Sequence, residues 1–127
     1  MTEYANVEGA IRAILDRWAH AACVGDMEGV LAHHAEDILM FDVPAPTQCS
    51  GLDAYRRTWE IFFASNAPGP NRFRLCDVVI VADDDVAVAY GLLDVADGAA
   101  RCRLTVAFRR GPESWQVIHE HHSMPLA

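Results

Sequence analysis

Positive charge is scarce in this chain: ten arginines, with no lysine, face eighteen aspartates and glutamates, for a formal net charge of -8. Such a surface repels a phosphate backbone, and no basic run interleaved with aromatics is present, so nucleic acid is not an expected partner. An anionic membrane surface is disfavoured on the same ground. Long apolar runs are also lacking, and none approaches the roughly 20 residues that span a bilayer. Met1-Thr2-Glu3-Tyr4 has neither the basic start nor the apolar stretch of a secretory signal, so a cytoplasmic protein is expected. The four cysteines, Cys23, Cys49, Cys76 and Cys102, form no Cys-x-x-Cys pair. That speaks against a zinc knuckle or a redox motif and for buried, reduced thiols. A nucleophile elbow, a Walker loop, a dinucleotide fingerprint and a zincin helix are all missing, and no cofactor is expected.

What is present is a chain of 127 residues, 52% of them apolar, enough for one compact domain over residues 1–127 with a sizeable core. Val7, Ile11, Ile14, Leu15, Trp18 and Ala22 recur at three-and-four spacing, which predicts a helix from about Thr2 to Val24, stopped by Gly25. Asp26 can cap a short second helix carrying Met27, Val30, Leu31 and His34. Ile38 to Val43 reads as a strand closed off by Pro44 and Pro46. A third helix is predicted from Leu52 to about Ser65, on the stripe Leu52, Tyr55, Trp59 and Phe62 or Phe63.

Beyond the Pro68-Gly69-Pro70 break the pattern changes to strands: Arg72 to Ala82, Val86 to Ala96, Arg101 to Arg110 and Trp115 to Met124. Their short connections favour antiparallel neighbours. Helices first and strands afterwards make an α+β fold, with helices packed on one face of a curved sheet that leaves a pocket.

The last strand, SWQVIHEHHSMP, carries a tryptophan, three histidines and a glutamate. Strict alternation puts Trp115, Val117, His119 and His121 on one face and Gln116, Ile118, Glu120 and His122 on the other. His119 and His121 have a spacing that can chelate, but nothing marks a third ligand, so no metal is expected. Trp115 and Val117 beside them describe a surface suited to burial against a second subunit.

Three stretches, VGDMEGVLAHHAED, FDVPAP followed by Gly51, and LTVAFRR with SWQVIHEHHS, together resemble the ketosteroid isomerase-like superfamily, also called nuclear transport factor 2-like (NTF2-like) or SnoaL-like. The resemblance implies a cone of three helices against a curved, mostly antiparallel sheet enclosing a pocket. It places Asp42 where ketosteroid isomerase keeps its carboxylate base, Trp18 and Thr105 where that family has its oxyanion donors, and Trp59 where it has a pocket tyrosine. The closing strand is also similar to the association domain of calcium/calmodulin-dependent kinase II, whose Trp-Gln and His-x-His-x-Ser pattern matches Trp115, Gln116, His119, His121 and Ser123, with its pocket arginine at His122. Both comparisons imply that Ile118, Glu120 and His122 face the cavity, with Thr105 opposite and Arg103 and Tyr90 on the same side. They leave Trp115, Val117, His119 and His121 on the convex face of a homodimer.

Two functions remain open on this reading. One is a cofactor-independent isomerase, dehydratase or cyclase for a small organic ligand, with Asp42 as general base and His122 as acid or relay. The other is a non-catalytic ligand-binding or assembly module, in which Arg103 neutralises Glu120 in a buried pair.

Overall fold

The computed structural model describes residues 3–98 and 100–126. Three helices, α1 (Glu3–Val24), α2 (Met27–Leu31) and α3 (Leu52–Ser65), accompany six strands: β1 (His34–Phe41), β2 (Cys49–Ser50), β3 (Phe73–Ala82), β4 (Val86–Val95), β5 (Ala100–Arg110) and β6 (Trp115–Ser123). The expected helix start at Thr2 lies outside the described residues. The α+β class read from the sequence holds, with one sheet in the order β2-β1-β6-β5-β4-β3. All neighbours are antiparallel except β1 and β6, which run parallel. No helix among the described residues is long and apolar enough to cross a membrane.

The apolar stripe of α1 is buried along its length, from Val7 through Ile11, Leu15 and Trp18 to Ala22. Gly25, at φ +77°, ends the helix in the left-handed region that other residues avoid. Asp26 then caps α2 by accepting the Gly29 N–H at 3.1 Å. On α3, Tyr55 and Trp59 point into the core, where Trp59, Trp18 and Phe73 form an aromatic cluster with ring centroids 4.9 to 6.1 Å apart. β1 begins at His34, four residues earlier than the apolar run suggests, and the short β2 pairs with its far end.

Register shifts shape the sheet at three pairings, one of them between His34 and Leu39 where β1 meets β6. On β3 the register shifts between Cys76 and Val79, with Asp77 at φ +55°; Gly91 on β4 lies against it, and a Cβ there would be 2.9 Å from the Cys76 carbonyl oxygen. On β6, Val117 pairs with Phe108 and His119 with Ala107, so Ile118 is an extra residue. Before this bulge the odd residues Trp115 and Val117 face the core; after it the even residue Glu120 does. Strict alternation therefore fails at Ile118. Trp115 and Val117, expected on a convex subunit face, are core residues at 5% and 2% exposure.

Candidate functional site

A cavity of about 340 Å³ opens between α3 and the inner face of the sheet. Its walls are chiefly apolar: Trp59 and Phe62 from α3, Met40 from β1, Phe73 from β3, Leu93 from β4 and Met124 just past β6. Polar groups gather where β1 and β6 run side by side. The parallel register sets Met40 opposite Glu120 and Phe41 opposite His121. Asp42 and His122 follow one residue further along each chain segment, and both line the cavity.

Behind His122 lies a buried hydrogen-bond network centred on Glu120, which is 1% exposed. One carboxylate oxygen, Oε2, receives His34 Nε2 at 2.6 Å and the Tyr55 hydroxyl at 2.7 Å. The other, Oε1, receives His122 Nε2 at 3.0 Å. The Tyr55 oxygen in turn accepts the indole N–H of Trp18 at 3.1 Å, and His34 Nδ1 donates to the Ala32 carbonyl at 2.8 Å. The His34 and Tyr55 rings stack at 4.7 Å, which fixes both against the carboxylate. Every buried polar atom of this network is satisfied, as a low-dielectric site requires.

The electrostatics follow from these contacts. Burial alone pushes the Glu120 carboxyl up, but the hydrogen bonds from His122 and His34, with their charge, outweigh it and hold the group down at about 2. For His122, burial pulls down while the hydrogen bond and charge of Glu120, and then the charge of Asp42, push up; the net shift is upward. Burial and then the neighbouring Glu120 keep the Tyr55 phenol well above its usual range, so it remains a donor. The Cys102 thiol, also on the cavity wall, is raised by burial and then by Asp42, which keeps it a protonated, weak nucleophile.

His122 Nε2 faces a carboxylate, which only accepts, so it carries a hydrogen. No hydrogen-bond partner of Nδ1 is found among the described residues, and the His122 side chain lines the cavity. Among the described residues Asp42 accepts only the Val43 N–H, at 2.8 Å, through Oδ1. The arrangement thus offers one carboxylate and one carboxylate-backed imidazole to whatever occupies the cavity. The Trp59 indole N–H is buried without an acceptor among the described residues.

Comparison with known proteins agrees with this architecture. The sequence profile of the SnoaL-like domain matches residues 11–127. The chain belongs to the SnoaL-like domain family. An NTF2-like protein of unknown function from Pseudomonas putida KT2440 is 34% identical, with a TM-score of 0.88 over 97% of this chain and 89% of that one. A candidate ketosteroid isomerase from Parabacteroides distasonis ATCC 8503 is 22% identical, with a TM-score of 0.71 over 91% and 85%. A candidate calcium/calmodulin-dependent protein kinase II association domain from Xanthomonas campestris is 19% identical, with a TM-score of 0.72 over 92% and 87%. The last two likenesses are of fold. No curated protein matches.

Of the residues expected in the pocket of this SnoaL-like domain, Asp42, Trp59, Glu120 and His122 line the cavity. Five others do not. Trp18 is buried behind Tyr55, to which its N–H is committed. Tyr90, Arg103 and Thr105 lie on the outer face of the sheet, because the inward residues of β5 are Cys102, Leu104, Val106 and Phe108. Arg103 donates there to Ser123 and does not pair with Glu120. Ile118, at the bulge, borders the outer face beside Ala107. Two participants carry almost no site signal in the sequence. His34, expected on a helix, opens β1, and Tyr55, expected as a core aromatic, turns its hydroxyl to Glu120. A buried histidine opening a strand has no period of its own; the polar tip of Tyr55 on an apolar stripe was the one available signal.

Proposed function

We propose that this SnoaL-like domain is a cofactor-independent acid–base enzyme, an isomerase, dehydratase or cyclase, acting on a small and largely apolar organic molecule. The observation that carries the reading is His122, clamped through Nε2 by the buried Glu120 carboxylate on the wall of a cavity that Asp42 also lines. Asp42 takes a proton from carbon. His122, more readily protonated than a free histidine, gives one from Nδ1 to the ligand oxygen or leaving group. With Trp18 and Thr105 out of reach, the developing negative charge on the ligand is met by His122 itself.

Asp42→Asn is expected to lower turnover by about 10² to 10⁴-fold, the usual worth of a positioned general base, while leaving ligand affinity nearly intact. A thermal-shift ligand screen followed by mass analysis for product supplies the substrate for that test. Ligand retention without product in the wild type is the outcome that supports the non-catalytic reading, which the full internal pairing of Glu120 favours. For the homodimer, the supporting surface is the outer sheet face, where Val79, Val81 and Tyr90 are exposed. Val81→Glu with Tyr90→Glu should then give monomer in sedimentation; a dimer that survives this pair refutes the assignment.

A further inference from the structure

We infer that His34 is a positioning residue that acts through Glu120: by carrying a hydrogen on both ring nitrogens it neutralises the buried carboxylate, and so frees His122 to exchange its Nδ1 proton with a ligand. The inference rests on the proposed acid–base role of His122 only in its last step. His34 Nδ1 points at the Ala32 carbonyl, which can only accept, so that nitrogen bears a hydrogen. Nε2 lies 2.6 Å from Glu120 Oε2 and 2.9 Å from the Tyr55 oxygen. The single Tyr55 hydrogen is directed to the same Oε2, and the Tyr55 lone pairs face the Trp18 N–H. His34 Nε2 therefore meets only acceptors, and it too bears a hydrogen.

The pair His34 and Glu120 is then internally neutral, with both side chains 1% exposed. His122 hydrogen-bonds the outer oxygen of a carboxylate whose charge is already compensated. Without His34, the same carboxylate would have His122 as its one remaining histidine partner and would hold it as an imidazolium. An imidazolium pinned in this way can give up its Nδ1 proton only with difficulty, so catalysis near neutral pH would slow. The ionisable groups near His122 are Glu120 on its own strand, Asp42 at the end of β1, Tyr55 behind Glu120 on α3 and Cys102 on the adjacent strand β5. His34→Gln leaves all four in place while removing the second-nitrogen charge.

The test is ¹⁵N NMR of the imidazole side chains. In the wild type at neutral pH, His34 is expected to show two protonated nitrogens, whereas one bare nitrogen overturns the proposal without any variant. In His34→Gln, the titration midpoint of His122 is expected to rise by about one pH unit or more, the size associated with loss of one nearby positive charge. An unchanged midpoint also overturns it. Tyr55→Phe removes a neutral donor from the same oxygen and is expected to move His122 by less; an equal or larger shift refutes the charge argument in favour of hydrogen bonding alone. If a substrate is in hand, the basic limb of the rate profile moves up with the NMR midpoint. A shifted midpoint with an unmoved rate profile leaves His34 compensating Glu120 and refutes the acid role of His122.

Discussion

Replacing Glu120 by glutamine is the most informative perturbation of the network, because it keeps the shape and removes the charge. The glutamine oxygen can accept from one side only; its amide must then face either the His34 and Tyr55 donors or the His122 donor. The size of the effect follows from the depressed carboxyl. A group ordinarily near 4.5 and held at about 2 when folded contributes about 3 kcal/mol to stability at neutral pH. Removing one partner of a buried pair costs about 3 to 5 kcal/mol on independent grounds. The sign is that of a lowered carboxyl: the contribution is full above the unfolded value and is lost as pH falls through the folded one. Urea unfolding of wild type and Glu120→Gln should therefore differ by about 3 kcal/mol at pH 7, and the gap should narrow as pH drops below about 4.5. Equal stabilities at neutral pH, or a gap that does not narrow in acid, would refute the view that a charged Glu120 organises this site.

Three further outcomes are expected. His122 is raised in the folded state, so its contribution is present below the unfolded value near 6.5 and fades as pH rises through the folded one; His122→Gln should flatten that alkaline decline in urea midpoints, and an unchanged slope would count against the pairing. Tyr55→Phe leaves the Trp18 N–H without its acceptor and Glu120 with one donor fewer, for an expected loss of about 1 to 3 kcal/mol in the same assay. Gly91→Ala drives a methyl to within 2.9 Å of the Cys76 carbonyl at the β3 bulge, and thermal unfolding should show a destabilisation of about 1 to 3 kcal/mol; a neutral result would mean the bulge yields easily.

The helices and turns were legible in the sequence because they have local causes. The stripe from Val7 to Ala22, the capping Asp26 and the break at Pro68 to Pro70 each act within a few residues, and α3 occupies the predicted span from Leu52 to Ser65. The pocket residues Asp42, Glu120 and His122 were legible through resemblance and strand alternation. Alternation misled for Trp115 and Val117, because one extra residue at Ile118 reverses the faces and leaves no periodic trace. Arg103 and Thr105 differ: they pair with Ser123 and His121, beyond the bulge and on the outer side, and it is the resemblance, which sets Thr105 at a pocket position, that turns them inward. His34 was invisible for a different reason: it meets Glu120 across 86 positions of sequence, through a parallel pairing of β1 with β6 that no local pattern encodes.

In the proposed reaction the cavity moves protons, with Asp42 taking one from carbon beside His122. Deuterium exchange tests this most directly. A cavity ligand found by thermal shift is incubated with the protein in heavy water, and its carbon-bound hydrogens are followed by mass spectrometry. Incorporation at one carbon by the wild type, lost by about two orders of magnitude in Asp42→Asn with binding retained, is expected if Asp42 is the base. Tight binding without exchange, or exchange at the same rate in Asp42→Asn, would contradict it.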